Sequence, residues 1–259
     1  MARQTQDTPA FLRLAAHPLR WRLLTALTAG DHRVRELVAL IDQPQNLVSY
    51  HLRLLRAGGL VTAGRSSFDG RDSYYHLDLD RCAQALALAG VALHPALRLD
   101  PAPPVPVAGQ KRSPRTAVLF MCTGNSARSP IAEALLRHHT GGHVEVTSAG
   151  SHPKPRIHPG AVQVLREDYG IDMADQRPRH LNTVVDRRFD HLISLCDKVR
   201  EVCLDFPDDP RRTHWSIPDP ATADDADQNG HPAFRRTAAE INTRIRYLLP
   251  VLNTGEAYP

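Results

Sequence analysis

The sequence predicts an α/β protein overall, with a helical N-terminal domain that closes on a β-hairpin and a C-terminal domain built on a central parallel sheet. Three features of the 259 residues support this prediction. Apolar residues recur at helical spacing in the first part, five prolines fall within residues 97–115, and strand-like and helix-like segments alternate afterwards. We therefore expect domains at residues 1–96 and 116–259, joined by a proline-rich linker at 97–115.

The N-terminal segments come in the order helix, helix, helix, hairpin and helix. The hairpin gives the clearest signal, because two strand-like runs flank the turn-forming pair Asp69-Gly70. Gly58-Gly59 marks the end of the third helix. This order predicts a winged helix-turn-helix domain. The expected elements are helices at 18–27, 34–41, 45–57 and 80–89 and strands at 61–65 and 73–79.

The C-terminal segments alternate between strands and helices. The strands are TAVLFMC, HVEVTSAG and HLISLC, and the helices are PIAEALLRHH, HPGAVQVLREDYG and FRRTAAEINTRIRYLLPVL. Such alternation predicts a parallel sheet that helices cover on both faces. We expect a functional site at the carboxyl ends of the strands, where the strand-to-helix loops gather.

Charge differs between the two halves of the chain. The first 115 residues carry 15 Lys and Arg against 9 Asp and Glu, and the remainder carries 17 against 19. A basic first half fits nucleic-acid binding, although a generally arginine-rich composition would give the same balance. No apolar run is long enough to span a membrane, and the N-terminus lacks a secretory pattern. We therefore expect a cytoplasmic protein with no membrane partner.

The four cysteines are Cys82, Cys122, Cys196 and Cys203. In a cytosolic chain of this size they indicate catalytic, redox or metal-binding groups rather than a disulfide framework. Cys82 has no second cysteine nearby in the last N-terminal helix, and we interpret it as a small buried residue.

The segment QPQNLVSYHLRLLRAGGLV has the pattern of a recognition helix, with short polar side chains for base edges and arginines for phosphates. It resembles that of the ArsR-type repressors, small dimeric winged helices, and the resemblance spans residues 8–95. That resemblance implies operator DNA as a partner and a homodimer. For each residue the alternative is a solvated helix face, and for His51 it is a buried structural histidine. The candidate DNA contacts are Gln45, Asn46, Ser49, Tyr50, His51, Arg53 and Arg56 on the helix and Arg65 and Arg71 on the wing.

Members of that family that sense arsenite often carry a Cys-x-Cys pair just before the recognition helix, because soft thiolates select soft metalloids. The corresponding segment here is ELVALID, where Val38 and Leu40 stand in place of cysteines. We therefore expect no metal site in this domain, and the inducer stays open.

A cysteine loop in VLFMCTGNSARSPIAEALL is the strongest local signal, since five residues separate Cys122 from Arg128 between a buried strand and a helix. At such a loop, backbone N–H groups and the helix N-terminus surround a tetrahedral oxyanion, and a guanidinium grips two of its oxygens. We expect this positive field to lower the pKa of Cys122, so that it attacks as a thiolate. Asn125 suits a left-handed backbone position, and Ser129 can hydrogen-bond the thiolate. The expected oxyanion-binding loop residues are Thr123, Gly124, Asn125, Ser126, Ala127 and Ser129.

A second chemical signal is Asp219 in HWSIPDPA, in a loop that precedes the last helix. A carboxylic acid held over the oxyanion loop can protonate a leaving oxygen. These residues resemble the low-molecular-weight protein tyrosine phosphatase family and its arsenate reductase branch, over about residues 116–252. The resemblance implies that Cys122 is the nucleophile, Arg128 the oxyanion clamp and Asp219 the acid.

Cys196 and Cys203 lie seven positions apart in LCDKVREVCLDF, directly after the third predicted strand. Thioredoxin-coupled arsenate reductases have a cysteine pair of this spacing after this strand. The resemblance implies a relay in which Cys122 attacks arsenate, Cys196 attacks Cys122 and releases arsenite, and Cys203 attacks Cys196. Thioredoxin would then reduce the last disulfide, so no bound cofactor is expected.

Three functions stay open at this point. The expected one is a bifunctional transcriptional regulator and arsenate reductase. The others are a tyrosine phosphatase fused to a DNA-binding domain, and a non-catalytic repressor that senses an oxyanion or the redox state of its thiols. The phosphatases usually carry tyrosines after the Asp-Pro pair, whereas Ala221 and Thr222 follow it here, which favours a small inorganic oxyanion.

Potassium is a further question that the resemblance raises. Some reductases of this branch bind the ion near the loop through residues that correspond to Asn125, Glu133 and Ser148. Arg177 stands where a further ligand is expected, which argues against the ion here.

Overall fold

The computed structural model describes residues 7–103, 116–201, 206–224 and 231–254. Two compact units separate within these ranges, one formed mostly by the residues before 104 and the other by those from 116 onward. Most of the predicted linker, at 104–115, and the predicted relay residue Cys203 lie outside the described residues. In the part of the chain that is described, no helix is both long enough and apolar enough to cross a membrane.

The first unit is a winged helix-turn-helix, as predicted. Its three strands, at residues 32–33, 61–65 and 73–77, form an antiparallel sheet in which the strand at 73–77 is central. The hairpin register pairs Val61 with Leu77 and Arg65 with Ser73. The last helix is capped by Asp78, whose carboxylate accepts a hydrogen bond from the backbone N–H of Arg81. The elements are α1 (Ala10–Ala15), α2 (Pro18–Thr28), β1 (His32–Arg33), α3 (Val34–Ile41), α4 (Gln45–Ala57), β2 (Val61–Arg65), β3 (Ser73–Leu77) and α5 (Leu79–Leu93).

Leucines at helical spacing form the core of this unit. Leu23 of α2, Leu37 of α3, and Leu52 and Leu55 of α4 are fully buried, because the apolar faces of the three helices pack together. This packing leaves the opposite face of α4 to solvent. The position of α4 is thereby fixed by burial of one face, and the other face is available for binding.

The second unit has a four-stranded sheet of β4 (Ala117–Cys122), β5 (Glu145–Gly150), β6 (His191–Ser194) and β7 (Arg211–His214). The strand order is β5-β4-β6-β7, and all neighbours are parallel. This confirms the predicted parallel sheet and adds β7, an edge strand whose polar sequence RRTH carries no apolar signal. A 3₁₀ turn lies at Leu181–Thr183. The elements are β4 (Ala117–Cys122), α6 (Arg128–Thr140), β5 (Glu145–Gly150), α7 (Pro159–Tyr169), β6 (His191–Ser194), α8 (Asp197–Arg200), β7 (Arg211–His214), α9 (Pro220–Asp224) and α10 (Pro232–Thr254).

The centre of the sheet is β4, where Val118, Leu119 and Phe120 are fully buried. A strand with a parallel neighbour on each side and helices over the sheet buries both faces, so its sequence is a continuous apolar run. Because β4 pairs with both β5 and β6, the loops that leave these three strands meet at one edge. Cys122 lies at that edge, as the last residue of β4.

Candidate active site

The carbonyl groups of the loop between β4 and α6 accept backbone hydrogen bonds that hold the loop in place. The segment after β5 follows the loop closely and donates backbone N–H groups to it, so these carbonyl oxygens fix the shape of the loop. The next helix begins at Arg128, one residue before the predicted Ser129-Pro130 start. The bonds run from His152 to Thr123 (2.9 Å), from Lys154 to Gly124 (2.8 Å) and from His158 to Ser126 (2.8 Å).

Gly150, the last residue of β5, lets this segment approach the loop. A Cβ atom at Gly150 would lie 2.6 Å from the carbonyl oxygen of Thr123 and 2.9 Å from the backbone nitrogen of Asn125. Real Cβ atoms essentially never come so close to backbone atoms, and neither partner is a flexible side chain. Only glycine fits this contact without displacing the loop.

Asn125 has the left-handed conformation expected of it, with φ of 43°. Its side chain is buried, and both its amide nitrogen and its amide oxygen are hydrogen-bonded. The nitrogen donates to the hydroxyls of Ser129 and Ser148, each at 2.9 Å, and the oxygen accepts the backbone N–H of Arg179 at 2.7 Å. These bonds stabilise a conformation that non-glycine residues rarely adopt.

Cys122 is buried, and its sulfur lies 2.9 Å from the Ser129 hydroxyl. Burial raises the pKa of the Cys122 thiol, and the nearby Cys196 adds to this, while Arg128 and the Ser129 hydroxyl oppose it. The prediction of a lowered pKa was therefore wrong in direction. The enclosed sulfur loses the hydration of its charged form, and this outweighs the effect of Arg128, which is itself paired with an acidic residue.

That acidic residue is Asp219. One guanidinium nitrogen of Arg128 donates to the Asp219 carboxylate at 2.8 Å, and the other donates to the carbonyl of Ile217 at 3.0 Å. Arg128 is buried, whereas the Asp219 side chain is 38% exposed. The backbone N–H of Ala221 donates to the other carboxylate oxygen at 3.2 Å. The structure thus brings Asp219 to the Cys122 loop through Arg128.

Cys196 reaches the same loop from the neighbouring strand. The β4–β6 register pairs Met121 with Ser194, so Cys196 comes opposite Thr123, one residue past Cys122. Its sulfur lies 3.2 Å from the Thr123 hydroxyl, and the residue is buried. One helical turn, α8, follows directly. Of the cysteine pair, the structure places Cys196 at the site, and Cys203 lies outside the described residues.

Asp197, next to Cys196, was not anticipated from the sequence. Burial acts to raise the pKa of this carboxyl, but hydrogen bonds from His214 and Ser216 outweigh it and hold the pKa well below its usual range. The ring nitrogen of His214 lies 3.1 Å from the carboxylate, and the Ser216 hydroxyl donates at 2.8 Å. His214 lies on β7, the strand without an apolar signal, so sequence periodicity could not bring these residues together.

Asn125, Glu133 and Ser148 converge, but they do not fit a potassium ion. Glu133 is fully buried, and its two carboxylate oxygens accept hydrogen bonds from Ser148, Gln176 and two arginines. One of these arginines is Arg179, which was not predicted from the sequence. Positively charged groups already fill the space beside Glu133. Arg177, the residue singled out from the sequence, instead donates to the carbonyls of Ala174 and Gln176.

The exposed face of α4 and the wing carry eight of the nine candidate DNA contacts. His51 is the exception, because it is 4% exposed and its ring packs against that of His17, with 4.4 Å between centroids. The inclusion of His51 among the base contacts is therefore corrected: it is a core residue of the first unit. The exposed candidates are Gln45, Asn46, Ser49, Tyr50, Arg53, Arg56, Arg65 and Arg71.

Two regions of the chain match known families. Residues 117–257 match the low molecular weight phosphotyrosine protein phosphatase family, and residues 17–63 match the arsR family of bacterial regulatory proteins. An arsenate reductase of Halalkalibacterium halodurans is 33% identical over 132 residues, which are 51% of this chain and 94% of the relative. An arsenate reductase of Bacillus subtilis is 31% identical over 129 residues, 50% of this chain and 91% of the relative.

Among solved structures, a thioredoxin-dependent arsenate reductase of Corynebacterium glutamicum is 32% identical with a TM-score of 0.44; the match covers 56% of this chain and 64% of that chain. The arsenate reductase of Archaeoglobus fulgidus is 32% identical with a TM-score of 0.42, over 51% of this chain and 98% of that chain. An arsR-type helix-turn-helix precedes residue 117. The family match that begins at residue 117 covers more than half of this chain, which therefore belongs to the low molecular weight phosphotyrosine protein phosphatase family.

Proposed function

We propose that this chain is an arsenate reductase joined to a DNA-binding transcriptional regulator, acting in the cytoplasm. The observation that carries the reductase proposal is a second buried thiol beside the nucleophile. The Cys196 sulfur lies 3.2 Å from the hydroxyl of Thr123, the residue after Cys122, and Cys196 follows the parallel strand that neighbours β4. Relatives that this chain covers over more than nine-tenths of their length are arsenate reductases.

The first step is attack on arsenate. The Cys122 thiol passes its proton to an oxygen of arsenate, and its sulfur bonds to arsenic while Arg128 and the loop N–H groups hold the oxyanion. One oxygen of arsenate leaves as water, with a proton delivered by Asp219. Arg128 must exchange its bond to Asp219 for bonds to the oxyanion, which releases the carboxyl to act as the acid.

The second step is the reduction itself. The Cys196 thiolate attacks the Cys122 sulfur, the sulfur–arsenic bond breaks, and its electron pair stays on arsenic. Arsenic(V) thereby becomes arsenic(III) and leaves as arsenite, and the two cysteines are left as a disulfide. The buried position of Cys196 beside Thr123 supports this role, since no long movement of the chain is needed.

The third step passes the disulfide outward. Cys203 attacks Cys196, freeing the Cys122 thiolate, and thioredoxin reduces the Cys196–Cys203 pair. Seven residues of helix would separate the two Cα atoms by about 10 Å, beyond the reach of a disulfide. The segment after Cys196 must therefore depart from a continuous helix during turnover. Among the residues described there, the four-residue helix α8 is the element that this rearrangement would affect first.

Mass spectrometry of disulfides trapped after one turnover tests the relay. With one equivalent of arsenate, Cys203→Ser should accumulate a Cys122–Cys196 disulfide, and Cys196→Ser should yield no arsenite. Cys82→Ser is the matched control, because this cysteine lies in the first unit and should change neither result. Arsenite formed by Cys196→Ser at the wild-type rate with the same reductant would reject the relay.

A phosphatase is the second candidate, and the family of the second unit favours it. The same loop, Arg128 and Asp219 suit a phosphate ester as well as arsenate. Hydrolysis of p-nitrophenyl phosphate by the full chain separates the two functions. Rapid hydrolysis that survives Cys196→Ser, with no arsenate-dependent oxidation of thioredoxin, would favour the phosphatase.

For the first unit, we propose operator binding by a homodimer through α4 and the wing. The arsR-family match and the exposed polar face of α4 support this. Arginine contacts to phosphates should make affinity fall steeply with salt, and Arg53→Ala should reduce that slope by about one unit. His51→Ala, a core change, should leave the salt slope as it is. Release of DNA by arsenate without any turnover would instead indicate a sensor that is not an enzyme.

A further inference from the structure

We infer that Arg179 is a positioning residue of the active site, and that its guanidinium group takes the place of a bound alkali cation as the counter-charge of buried Glu133. The inference rests on the proposed function only in taking the Cys122 loop as the active site, and it holds for either oxyanion chemistry. It concerns residues of the second unit alone.

The first support is the burial of Glu133. Its side chain is fully inaccessible to solvent, and an isolated carboxylate in such a place is strongly disfavoured unless a positive charge and hydrogen bonds accompany it. One guanidinium nitrogen of Arg179 lies 2.9 Å from one carboxylate oxygen and 3.0 Å from the other. Arg137 contacts only the first of these oxygens, at 2.5 Å.

The second carboxylate oxygen of Glu133 is the one that faces the loop. The Ser148 hydroxyl donates to it at 2.6 Å and the Gln176 amide at 2.8 Å. Both of these groups are neutral. Among the residues that the structure describes, Arg179 is therefore the one that brings a positive charge to this oxygen.

The third support is a closed ring of hydrogen bonds that begins and ends at Arg179. Its backbone N–H donates to the Asn125 side-chain oxygen at 2.7 Å, and Asn125 donates to the Ser148 hydroxyl at 2.9 Å. Ser148 donates to Glu133, which accepts the Arg179 guanidinium. Because both the backbone and the side chain of one residue belong to the ring, each fixes the other in place.

The ring connects directly to the nucleophile. Asn125, held in its left-handed conformation, donates to the Ser129 hydroxyl at 2.9 Å, and this hydroxyl lies 2.9 Å from the Cys122 sulfur. Arg179 therefore acts on the sulfur through Asn125 and Ser129. Loss of its guanidinium would weaken the hold on Asn125 and so shift the group that orients the thiol.

Removal of the guanidinium should create a cation site. Carboxylate and hydroxyl oxygens are among the ligands that hard cations prefer, and Glu133 and Ser148 supply them. A cleft of about 1000 Å³, lined in part by Glu133, Arg137, Gln176 and Arg179, gives small solutes access from solvent. Potassium or methylguanidinium could then restore the missing charge.

The test compares the full-length wild type with Arg179→Met in choline chloride, potassium chloride and choline chloride with added methylguanidinium, at constant ionic strength. The matched control is Arg177→Met, an exposed arginine two positions away whose guanidinium donates to backbone carbonyls. Two rates are measured: arsenate reduction with thioredoxin, and alkylation of Cys122 by iodoacetamide. Alkylation needs neither arsenate nor a reductant, so it reports on the inference even if the reductase proposal fails.

We expect the wild type and Arg177→Met to give the same rates in all three salts. For Arg179→Met in choline, both rates should change by about tenfold or more, and potassium or methylguanidinium should restore them. Wild-type rates for Arg179→Met in choline, or a change that neither cation reverses, would overturn the inference. If Arg179→Met proves too unstable for rate measurements in choline, its midpoint of thermal unfolding is measured in the same salts. This midpoint must rise when potassium or methylguanidinium is added, and it must not rise when more choline is added. Arg179→Lys, which keeps the charge, should remain folded and independent of potassium.

Discussion

Substitution of Gly150 by alanine should disable the active site through one added methyl group. The new Cβ would lie 2.6 Å from the Thr123 carbonyl oxygen, about 0.8 Å short of an ordinary contact at 3.4 Å. No strained backbone angle is involved, since the φ of Gly150 is not in the left-handed region. The loop must therefore move by most of an ångström, because its partners there are backbone atoms and the Asn125 Cβ.

The magnitude follows from that displacement. Overpacking of this kind costs about 1–3 kcal/mol of stability, and a shift of about 1 Å in a reacting group costs about 100-fold in rate. We expect kcat/KM for arsenate to fall by about that factor. Stability is read from urea unfolding by tryptophan fluorescence in a Trp21→Phe background, where Trp215, packed near Phe120, is the remaining one of two tryptophans.

The control is Gly64→Ala, where a Cβ would meet nothing within 4 Å. This variant should keep both activity and unfolding midpoint. If Gly150→Ala gave the same rate and the same midpoint as Gly64→Ala, the loop would have to be far more compliant than its hydrogen bonds indicate, and the steric reasoning would be wrong.

Three further predictions concern charge. Burial raises the pKa of the Cys122 thiol, so above about pH 8.5 the unfolded chain loses a proton that the folded chain keeps. The free energy of unfolding, measured with urea, should therefore fall with rising pH, and it should fall less in Cys122→Ser. Burial, with repulsion from His17 and Arg20, lowers the pKa of His51, so the first unit should lose stability as the pH falls below about 6.5. In an acid titration followed by circular dichroism, His51→Leu should lose less stability than the wild type. Asp219→Asn should lower kcat for arsenate by about 100-fold or more, measured at saturating arsenate, whereas an unchanged kcat would exclude it as the acid.

The sequence was sufficient for the architecture and for the local geometry of the loop between Cys122 and Arg128. Periodicity identified the helices that carry the leucine core of the first unit, and the apolar run before Cys122 identified the central strand. The spacing of Cys122 and Arg128 placed a loop where the structure has one, with Asn125 left-handed and Ser129 beside the sulfur. Such features are local, because each depends on residues that are close together in the chain.

The features that could not be predicted from the sequence depend on contacts between residues that are far apart in the chain. The raised pKa of Cys122 follows from its burial in the folded protein, and Cys196, which is distant in the sequence, adds to it. Arg179 approaches Glu133 across 46 positions, and His214 meets Asp197 only through β7. Burial of His51 depends on its position on the inner face of α4, beside His17. No pattern of spacing encodes which of several arginines or histidines a fold will turn inward.

The order of the strands has a kinetic consequence. Neighbouring parallel strands lie about 4.8 Å apart, so β4 and β6 bring the segments that carry Cys122 and Cys196 to the same edge of the sheet. For the relay proposed above, this arrangement makes formation of the first disulfide, between Cys122 and Cys196, a step that needs no large movement of the chain.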